Sequence, residues 1–225
     1  MSKTLSIKAI IWDFGGVLLR TEDPGPRQQL AQRLGTSPGE LEYLVFAGDS
    51  SLQAQLGKIS LDQHWENIRL HYGFQPEEMQ GFKTSFWAGD QLDYELVDII
   101  RRLRGRYRTA LLSNAWENLR SLMTNDWHIS DAFDTIVISA EVGLMKPDPQ
   151  VFNLILEKLS AAPPEAVFID DFKVNIEAAR HQGLNVIYFK NRTQALNELG
   201  YMISDLWFES HETDDPSTWV AKPGR

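Results

Sequence analysis

Five short runs of β-branched, aromatic and other apolar residues are spaced along the chain, and helical patterns lie between them. The runs cover residues 7–12, 109–112, 135–138, 166–169 and 186–189. They show little alternation of polar and apolar side chains, which is typical of strands buried on both faces of a sheet. Parallel strands need a crossover connection, and that crossover is usually a helix. The alternation therefore predicts an α/β fold built on a parallel sheet.

Apolar stripes at helical spacing support this prediction. Leu96, Ile99, Ile100 and Leu103 share one helical face, and residues 151–159 carry a second stripe. Residues 173–182 predict a third helix, with Gly183 as its C-cap. Each stripe supplies an apolar face that can pack on the sheet.

The connection between the first two predicted strands is far longer than a crossover requires. It runs from about residue 12 to residue 109, whereas a crossover needs only about a dozen residues or a little more. This stretch is rich in helix signals, and Ser37-Pro38 and Gln75-Pro76 predict the first residues of two helices. We therefore expect a helical subdomain at residues 21–90, inserted into a core formed by residues 1–20 and 91–203. Residues 204–225 are acidic and are expected to form a loose tail.

Composition narrows the possible partners. The chain has 22 Lys and Arg against 31 Asp and Glu, a formal charge of −9, and no cysteine. The negative charge argues against binding to nucleic acid or to an anionic membrane surface. The lack of cysteine excludes disulfides, thiolate catalysis and Cys-ligated metals. No run approaches the roughly 20 apolar residues that span a bilayer, and Asp13 interrupts the first apolar run, so we expect a cytoplasmic protein, as a monomer or a homodimer.

Polar side chains stand directly after the predicted strands. Asp13 follows the first strand, Ser113-Asn114 the second and Asp170-Asp171 the fourth, while Lys146 lies in the loop after the third. Ligands of open parallel sheets bind at this carboxyl edge. Carboxylates suit Mg²⁺, whereas Lys, Ser and Asn suit phosphoryl oxygens. Helix capping is the alternative role for Asp170-Asp171 and for Ser113-Asn114, since both types of residue favour N-caps.

Together these segments resemble the four ordered motifs of the haloacid dehalogenase (HAD) superfamily. The matching segments are Asp13-Phe-Gly-Gly-Val, Ser113-Asn114, Lys146-Pro147 and Asp170-Asp171-Phe-Lys-Val-Asn175. The predicted insertion lies where that superfamily places its helical cap. Leu56-Gly-Lys-Ile-Ser60, followed by Trp65, is similar to the branch that contains bacterial sugar-phosphate phosphatases and the N-terminal phosphatase domain of soluble epoxide hydrolase. The resemblance covers about residues 6–200 and implies a Rossmann-like core with an inserted α-helical cap.

The resemblance also implies roles for individual residues. Asp13 would be the nucleophile and a Mg²⁺ ligand, with the Gly15 carbonyl and Asp171 as further ligands. Asp170 and Asn175 would lie behind these ligands and support them. The phosphoryl group of a small phosphorylated metabolite would be held by three residues: Ser113, Asn114 and Lys146. Lys146 would also orient Asp13.

One departure from the family pattern concerns the second residue after the nucleophile. Phosphatases of this superfamily usually have an Asp there, which protonates the leaving group and activates water, but this chain has Gly15. A positioned acid or base typically contributes about 10²–10⁴ in rate. The favoured interpretation is still a Mg²⁺-dependent phosphatase that forms an aspartyl-phosphate. Two alternatives stay open: a metal-free 2-haloacid dehalogenase, and a catalytically silent phosphate-binding module. Asp49, in the segment Ala47-Gly-Asp-Ser50 of the predicted insertion, is a candidate replacement for the missing acid.

Overall fold

A five-stranded parallel sheet forms the centre of the computed structural model, which describes residues 6–203. The strands are β1 Ala9–Trp12, β2 Leu19–Thr21, β3 Asp90–Leu92, β4 Arg108–Ser113, β5 Thr135–Ile138, β6 Ala166–Asp170 and β7 Asn185–Tyr188. The sheet order is β5-β4-β1-β6-β7, and every neighbouring pair is parallel. The predicted α/β class with a parallel sheet is confirmed, and the five predicted strands are the five members of this sheet.

Helices connect the strands and also fill the long first connection. They are α1 Gly25–Arg33, α2 Pro38–Glu42, α3 Asp49–Gln55, α4 Leu61–Tyr72, α5 Glu78–Trp87, α6 Tyr94–Leu103, α7 Leu119–Ser121, α8 Ser139–Val142, α9 Pro149–Leu159, α10 Lys173–His181 and α11 Arg192–Met202. Two π-helical turns, Tyr43–Ala47 and Leu122–Asp126, follow α2 and α7. Within residues 6–203, no helix has the length and apolar character needed to cross a bilayer.

The sheet is covered by helices on both faces. Ile10 and Trp12 of β1 pack in one cluster with residues of α6 and α11, whereas Ala9 and Ile11 pack in a second cluster with residues of α9 and α10. All four residues of β1 are completely buried. This burial on both faces explains why the strand has no polar alternation.

Strand register brings the polar segments to one edge of the sheet. Trp12 of β1 pairs with Leu111 of β4 and with Ile169 of β6. Continuing the register by one residue places Asp13 level with Asp170. The carboxyl ends of β1, β4 and β6 thus lie side by side, as the sequence predicted for a parallel sheet.

Helices α1 to α5 pack around a hydrophobic cluster separate from those of the sheet. Its buried members include Leu41, Ile68 and Phe86, all fully inaccessible to solvent. Ser37 and Ser60 begin α2 and α4 with reciprocal capping boxes, which satisfy the free N–H groups of each first turn. The second predicted start, Gln75-Pro76, is wrong by two residues, since α5 begins at Glu78. Residues 75–78 form a tighter turn instead, in which the Glu78 N–H donates to the Gln75 carbonyl at 3.0 Å.

A short antiparallel strand pair, which the sequence analysis missed, stands where the chain enters and leaves these helices. Leu19 of β2 pairs with Leu92 of β3, and Thr21 pairs with Asp90. Three-residue strands lack an apolar pattern that would reveal them in sequence. Both predicted boundaries, 20/21 and 90/91, fall inside this pair, and a division of the chain there stays a prediction. The predicted tail at 204–225 lies outside the described residues.

Two ion-pair networks flank this strand pair. On the side of the helices, the buried guanidinium of Arg27 donates to both carboxylate oxygens of Asp90, at 2.9 and 3.0 Å. On the side of the sheet, Asp93 caps α6 and pairs with Arg20 and Arg192. Together the networks fix the orientation of the chain at both crossing points.

Candidate active site

Asp13 is a buried carboxylate at the carboxyl end of the central strand. Only 8% of the residue is exposed, and its backbone N–H donates to the Ile169 carbonyl at 2.9 Å, which extends the β1–β6 ladder by one residue. The carboxylate oxygen Oδ1 accepts the Phe14 N–H at 2.7 Å. Backbone pairing and this local hydrogen bond together fix the direction of the side chain.

Lys146 places its ammonium group between two carboxylates. Its Nζ lies 2.7 Å from Oδ1 of Asp13 and 2.7 Å from Oδ2 of Asp170, and only 2% of the residue is exposed. The loop that carries it is held by Asn114, whose side chain donates to the Lys146 carbonyl and accepts from the Lys146 N–H, both at 2.8 Å. The Ser-Asn segment after β4 therefore fixes the position of the lysine.

Asp170 is completely buried, and its carboxylate is surrounded by donors. Besides Lys146, it accepts the Phe172 N–H at 2.7 Å and the Asn175 side-chain amide at 3.0 and 3.2 Å. Asn175 lies in the first turn of α10. The Asp170 carboxylate thus connects Lys146, the loop between β6 and α10, and the first turn of α10.

Asp171 approaches the loop that follows Asp13. A Cβ built on Gly16 would lie only 2.0 Å from Oδ2 of Asp171, and Gly16 has a φ of +77°. The absent side chain at Gly16 is therefore what makes room for this carboxylate. Single carboxylate oxygens of Asp13, Asp170 and Asp171 all lie within 4.8 Å of one another. Among the residues that the structure describes, this is the one cluster of three possible metal ligands.

The electrostatics of the cluster favour a bound cation. Burial raises the pKa of the Asp13 carboxyl to about 7; Lys146 opposes this effect, whereas Asp170 and Asp171 add to it. Burial and the neighbouring Asp170 also raise the pKa of Asp171. Burial lowers the pKa of Lys146, but Asp13 and Asp170 outweigh burial and hold that pKa above its ordinary value. When ionised, three carboxylates beside one ammonium leave two negative charges unbalanced, and an oxygen-rich set of this kind suits Mg²⁺.

The fold and the four polar segments at the sheet edge match a known protein family. A family model described as a haloacid dehalogenase-like hydrolase matches residues 7–183, well over half of the chain. The chain belongs to the haloacid dehalogenase-like hydrolase family. The resemblance predicted from four ordered motifs is confirmed, and so is the expectation of a hydrolase.

Curated relatives and solved structures of the HAD family agree with this assignment. The chain is 37% identical over 97 residues to mouse bifunctional epoxide hydrolase 2, but the match covers 41% of the chain and only 18% of that protein. It is 31% identical over 189 residues to the phosphorylated carbohydrates phosphatase of Thermotoga maritima, which covers 81% of the chain and 84% of the relative. A HAD family enzyme from Bacteroides thetaiotaomicron, solved with magnesium and inorganic phosphate, shares the fold, with a TM-score of 0.68 and 24% identity over 82% of this chain and 95% of that chain.

Gly15, where HAD phosphatases usually carry an acid, is open to solvent. A Cβ built on it meets nothing within 4 Å, and its φ is not in the left-handed region. Asp49, the candidate replacement, is exposed in the first turn of α3 and does not belong to the carboxylate cluster around Asp13. Neither Gly15 nor Asp49 therefore supplies a second acid beside Asp13.

Ser113 is the remaining site residue that the sequence predicts. Ser113 is the last residue of β4 and is 3% exposed. The close approach of Asp171 to Gly16 was not predicted from the sequence. The only sequence feature that indicates it is the Gly15-Gly16 pair.

Proposed function

We propose that this protein is a Mg²⁺-dependent phosphatase that acts on a small phosphorylated metabolite through an aspartyl-phosphate at Asp13. The observation that carries the proposal is the position of Lys146 between Asp13 and Asp170, with Asp171 completing a buried acidic cluster. A metal-free dehalogenase has little use for three converging carboxylates, since its nucleophile needs only one. The phosphatase is therefore favoured over the dehalogenase.

The proposed roles follow from the hydrogen bonds of each side chain. Asp13, Asp171 and the Gly15 carbonyl would hold Mg²⁺, which would offset the negative charge of the phosphoryl oxygens. Asp170 is saturated by Lys146, Phe172 and Asn175, so it suits the role of a support rather than a ligand. Ser113, at the carboxyl end of β4, would donate its hydroxyl to a phosphoryl oxygen. Asn114 acts by holding Lys146, because both ends of its amide are bonded to the lysine backbone.

The proposed reaction has two steps. One oxygen of the Asp13 carboxylate attacks phosphorus, the ester P–O bond breaks, and the alcohol departs with a proton taken from water or substrate. Water then attacks phosphorus, the acyl P–O bond breaks, and phosphate leaves while Asp13 returns as a carboxylate. Lys146 stays charged throughout, since Asp13 and Asp170 keep its pKa high. The Thermotoga maritima relative, named for phosphorylated carbohydrates, and the solved neighbour with magnesium and phosphate support this proposal.

The test is phosphate release from a panel of phosphorylated metabolites, measured with Mg²⁺ and with EDTA. We expect turnover that depends on Mg²⁺ and is lost in Asp13→Asn, while the variant keeps its circular dichroism spectrum and melting temperature. Lys158→Gln, a change on the outer side of α9, is the matched control and should retain turnover. Near wild-type activity of Asp13→Asn would contradict the covalent mechanism. Halide release from a 2-haloacid in EDTA, without phosphate release, would favour the dehalogenase. Binding of Mg²⁺ and phosphate without turnover would favour the silent module.

A further inference from the structure

Two buried polar side chains, Gln55 and His64, form hydrogen bonds to backbone carbonyls of the π-helical turn Tyr43–Ala47. The Gly48 N–H closes the turn by donating to the Tyr43 carbonyl at 2.7 Å. The Phe46 carbonyl accepts from Nε2 of Gln55 at 2.7 Å, and the Val45 carbonyl lies 3.1 Å from Nε2 of His64. Such turns occur often at functional sites.

The hydrogen-bond partners of His64 define its tautomer. A carbonyl can only accept, so Nε2 carries the hydrogen, and Nδ1 accepts from the Ser50 hydroxyl at 2.8 Å. Burial lowers the pKa of His64, which keeps the ring neutral at physiological pH. Gln55 and His64 therefore fix two successive carbonyls of the turn by ordinary neutral hydrogen bonds.

The turn presents Phe46 toward solvent beside other aromatic rings. Phe46 is 37% exposed, although its centroid lies 5.5 Å from Trp87 and 6.1 Å from Trp116. The rings of Phe46 and Trp116 are nearly parallel, with an interplanar angle of 14°. Trp116 lies outside helices α1 to α5, two residues after Asn114 in the loop that follows β4. Phe46 thus borders the loop of the proposed phosphoryl site.

The segment that contains α3 and α4 contacts the chain that follows β4 and β5 at the carboxyl edge of the sheet. A Cβ on Gly57 would lie 2.3 Å from the Ala140 carbonyl, so the two backbones are in contact. The Leu61 N–H donates to Glu117 at 3.3 Å. These contacts hold α3 and α4 over the loops after β4 and β5. Phe46, whose ring stacks on Trp116, therefore lies beside the loop that follows β4.

The Phe46 ring packs against aromatic rings, and the Arg27 guanidinium lies 5.8 Å from its centroid. The indole N–H of Trp116 is buried and finds no acceptor among residues 6–203. The nearby guanidinium of Arg27 is already engaged by Asp90, Glu42, Thr21 and the Phe86 carbonyl. Phe46 therefore presents the exposed ring of this aromatic group, since Trp116 is only 9% exposed and the Arg27 guanidinium is already paired.

We propose that Phe46 is the surface on which the leaving group of the phosphate ester packs, and that Gln55 and His64 are positioning residues that hold it there. The inference rests on the proposed phosphatase function and names its substrate class: monoesters whose alcohol presents an apolar ring or hydrocarbon face, rather than short polar alcohols. Contacts of aromatic rings are worth about 0.5–1.5 kcal/mol, which corresponds to a preference of up to about tenfold.

The experiment compares benzyl phosphate with ethyl phosphate, because both release alkoxides of similar basicity and differ mainly in the ring. The readout is the ratio of their kcat/KM values in Mg²⁺. We expect the wild type to favour benzyl phosphate, and we expect Phe46→Ala to reduce the ratio about tenfold. Phe46→Leu keeps apolar volume but loses the ring contact, so it should reduce the ratio about threefold, within the range for ring contacts; it covers the case in which Phe46→Ala does not fold. Tyr43→Ala removes an exposed ring from the same turn and should leave the ratio within twofold.

Positioning by Gln55 has its own signature. Gln55→Met keeps the side-chain length but loses the hydrogen bond to the Phe46 carbonyl, so it should raise KM for benzyl phosphate while kcat stays close to wild type. An unchanged ratio in folded Phe46→Ala or Phe46→Leu would overturn the inference and leave the phosphatase standing. Hydrolysis of neither ester, nor of any member of the metabolite panel, would refute the phosphatase itself and this inference with it.

Discussion

The pair Gly15 and Gly16 offers a matched test of how the acidic cluster is built. Adding one methyl group to each glycine should have very different results. At Gly15, the new Cβ enters open space and the backbone has an ordinary φ. At Gly16, the new Cβ would lie 2.0, 2.4 and 2.7 Å from three atoms of the Asp171 carboxyl group, in a residue with a φ of +77°.

The magnitude follows from these two penalties. A left-handed conformation costs an L-residue about 1–2 kcal/mol, and overpacking at a tight contact costs about 1–3 kcal/mol. Gly16→Ala should therefore reduce the free energy of unfolding by roughly 2–5 kcal/mol. The clash should also displace Asp171 from Asp13. Disturbing the groups that orient a metal site typically weakens metal binding by about 10–100-fold. Gly15→Ala should change stability by less than about 0.5 kcal/mol.

Two assays check this prediction. Urea unfolding gives the stability of both variants, and calorimetric titration with Mg²⁺ gives metal affinity without relying on turnover. The reasoning would be refuted if Gly16→Ala matched Gly15→Ala in both stability and Mg²⁺ affinity. A loss of stability with full Mg²⁺ affinity would show that Asp171 is not a ligand, while leaving the steric argument intact.

Two further predictions concern buried charges. Lys146→Met should abolish turnover and cost about 3–5 kcal/mol of stability at pH 8, because Asp13 and Asp170 lose their shared counter-ion. Urea unfolding at pH 5 should show a smaller loss, because burial raises the pKa of Asp13 to about 7 and its protonation at pH 5 relieves the repulsion. Asp93→Ala should cost about 2 kcal/mol at pH 7, because the carboxylate caps α6 and binds Arg20 and Arg192. Burial raises the pKa of Asp93, but the Leu96 N–H and both arginines outweigh burial and hold it below its ordinary value. Its contribution is therefore present above about pH 4 and should disappear as the pH falls through that lower pKa; an Asp93→Ala deficit that does not shrink in acid would contradict this.

The sheet and much of the site could be read from the sequence for one physical reason. A parallel strand buried on both faces has no polar residue until it ends, so Asp13 and Asp170 mark both the strand ends and the edge where ligands bind. Parallel topology then brings these ends together without any knowledge of the loops. The family resemblance added Lys146, whose loop position carries no periodic signal.

Other features depend on contacts that a linear pattern does not contain. β2 and β3 are too short to show alternation and pair across about 70 residues. The packing of Trp116 among helices α1 to α5 reflects tertiary contact, since its neighbours in sequence are polar or small. The Asn114 side chain was expected to contact the phosphoryl group, yet its amide is bonded to the backbone of Lys146. Residue type alone could not distinguish these two uses of an amide.

The missing acid at Gly15 leads to the last prediction, which rests on the proposed phosphatase function. Because a Cβ at Gly15 meets nothing within 4 Å, Gly15→Asp should fold with near wild-type stability. An added acid would help an alkoxide leaving group, which needs a proton, more than a phenolate, which departs as a stable anion. We expect the variant to raise kcat for ethyl phosphate relative to phenyl phosphate by about a hundredfold, the lower end of the range for a positioned acid. Gly15→Asn, with the same shape and no acid, is the matched control and should give no such gain. If folded Gly15→Asp and Gly15→Asn show the same relative rates, the protein already obtains its proton elsewhere, and the donor must then be sought in helices α1 to α5 or in the substrate itself.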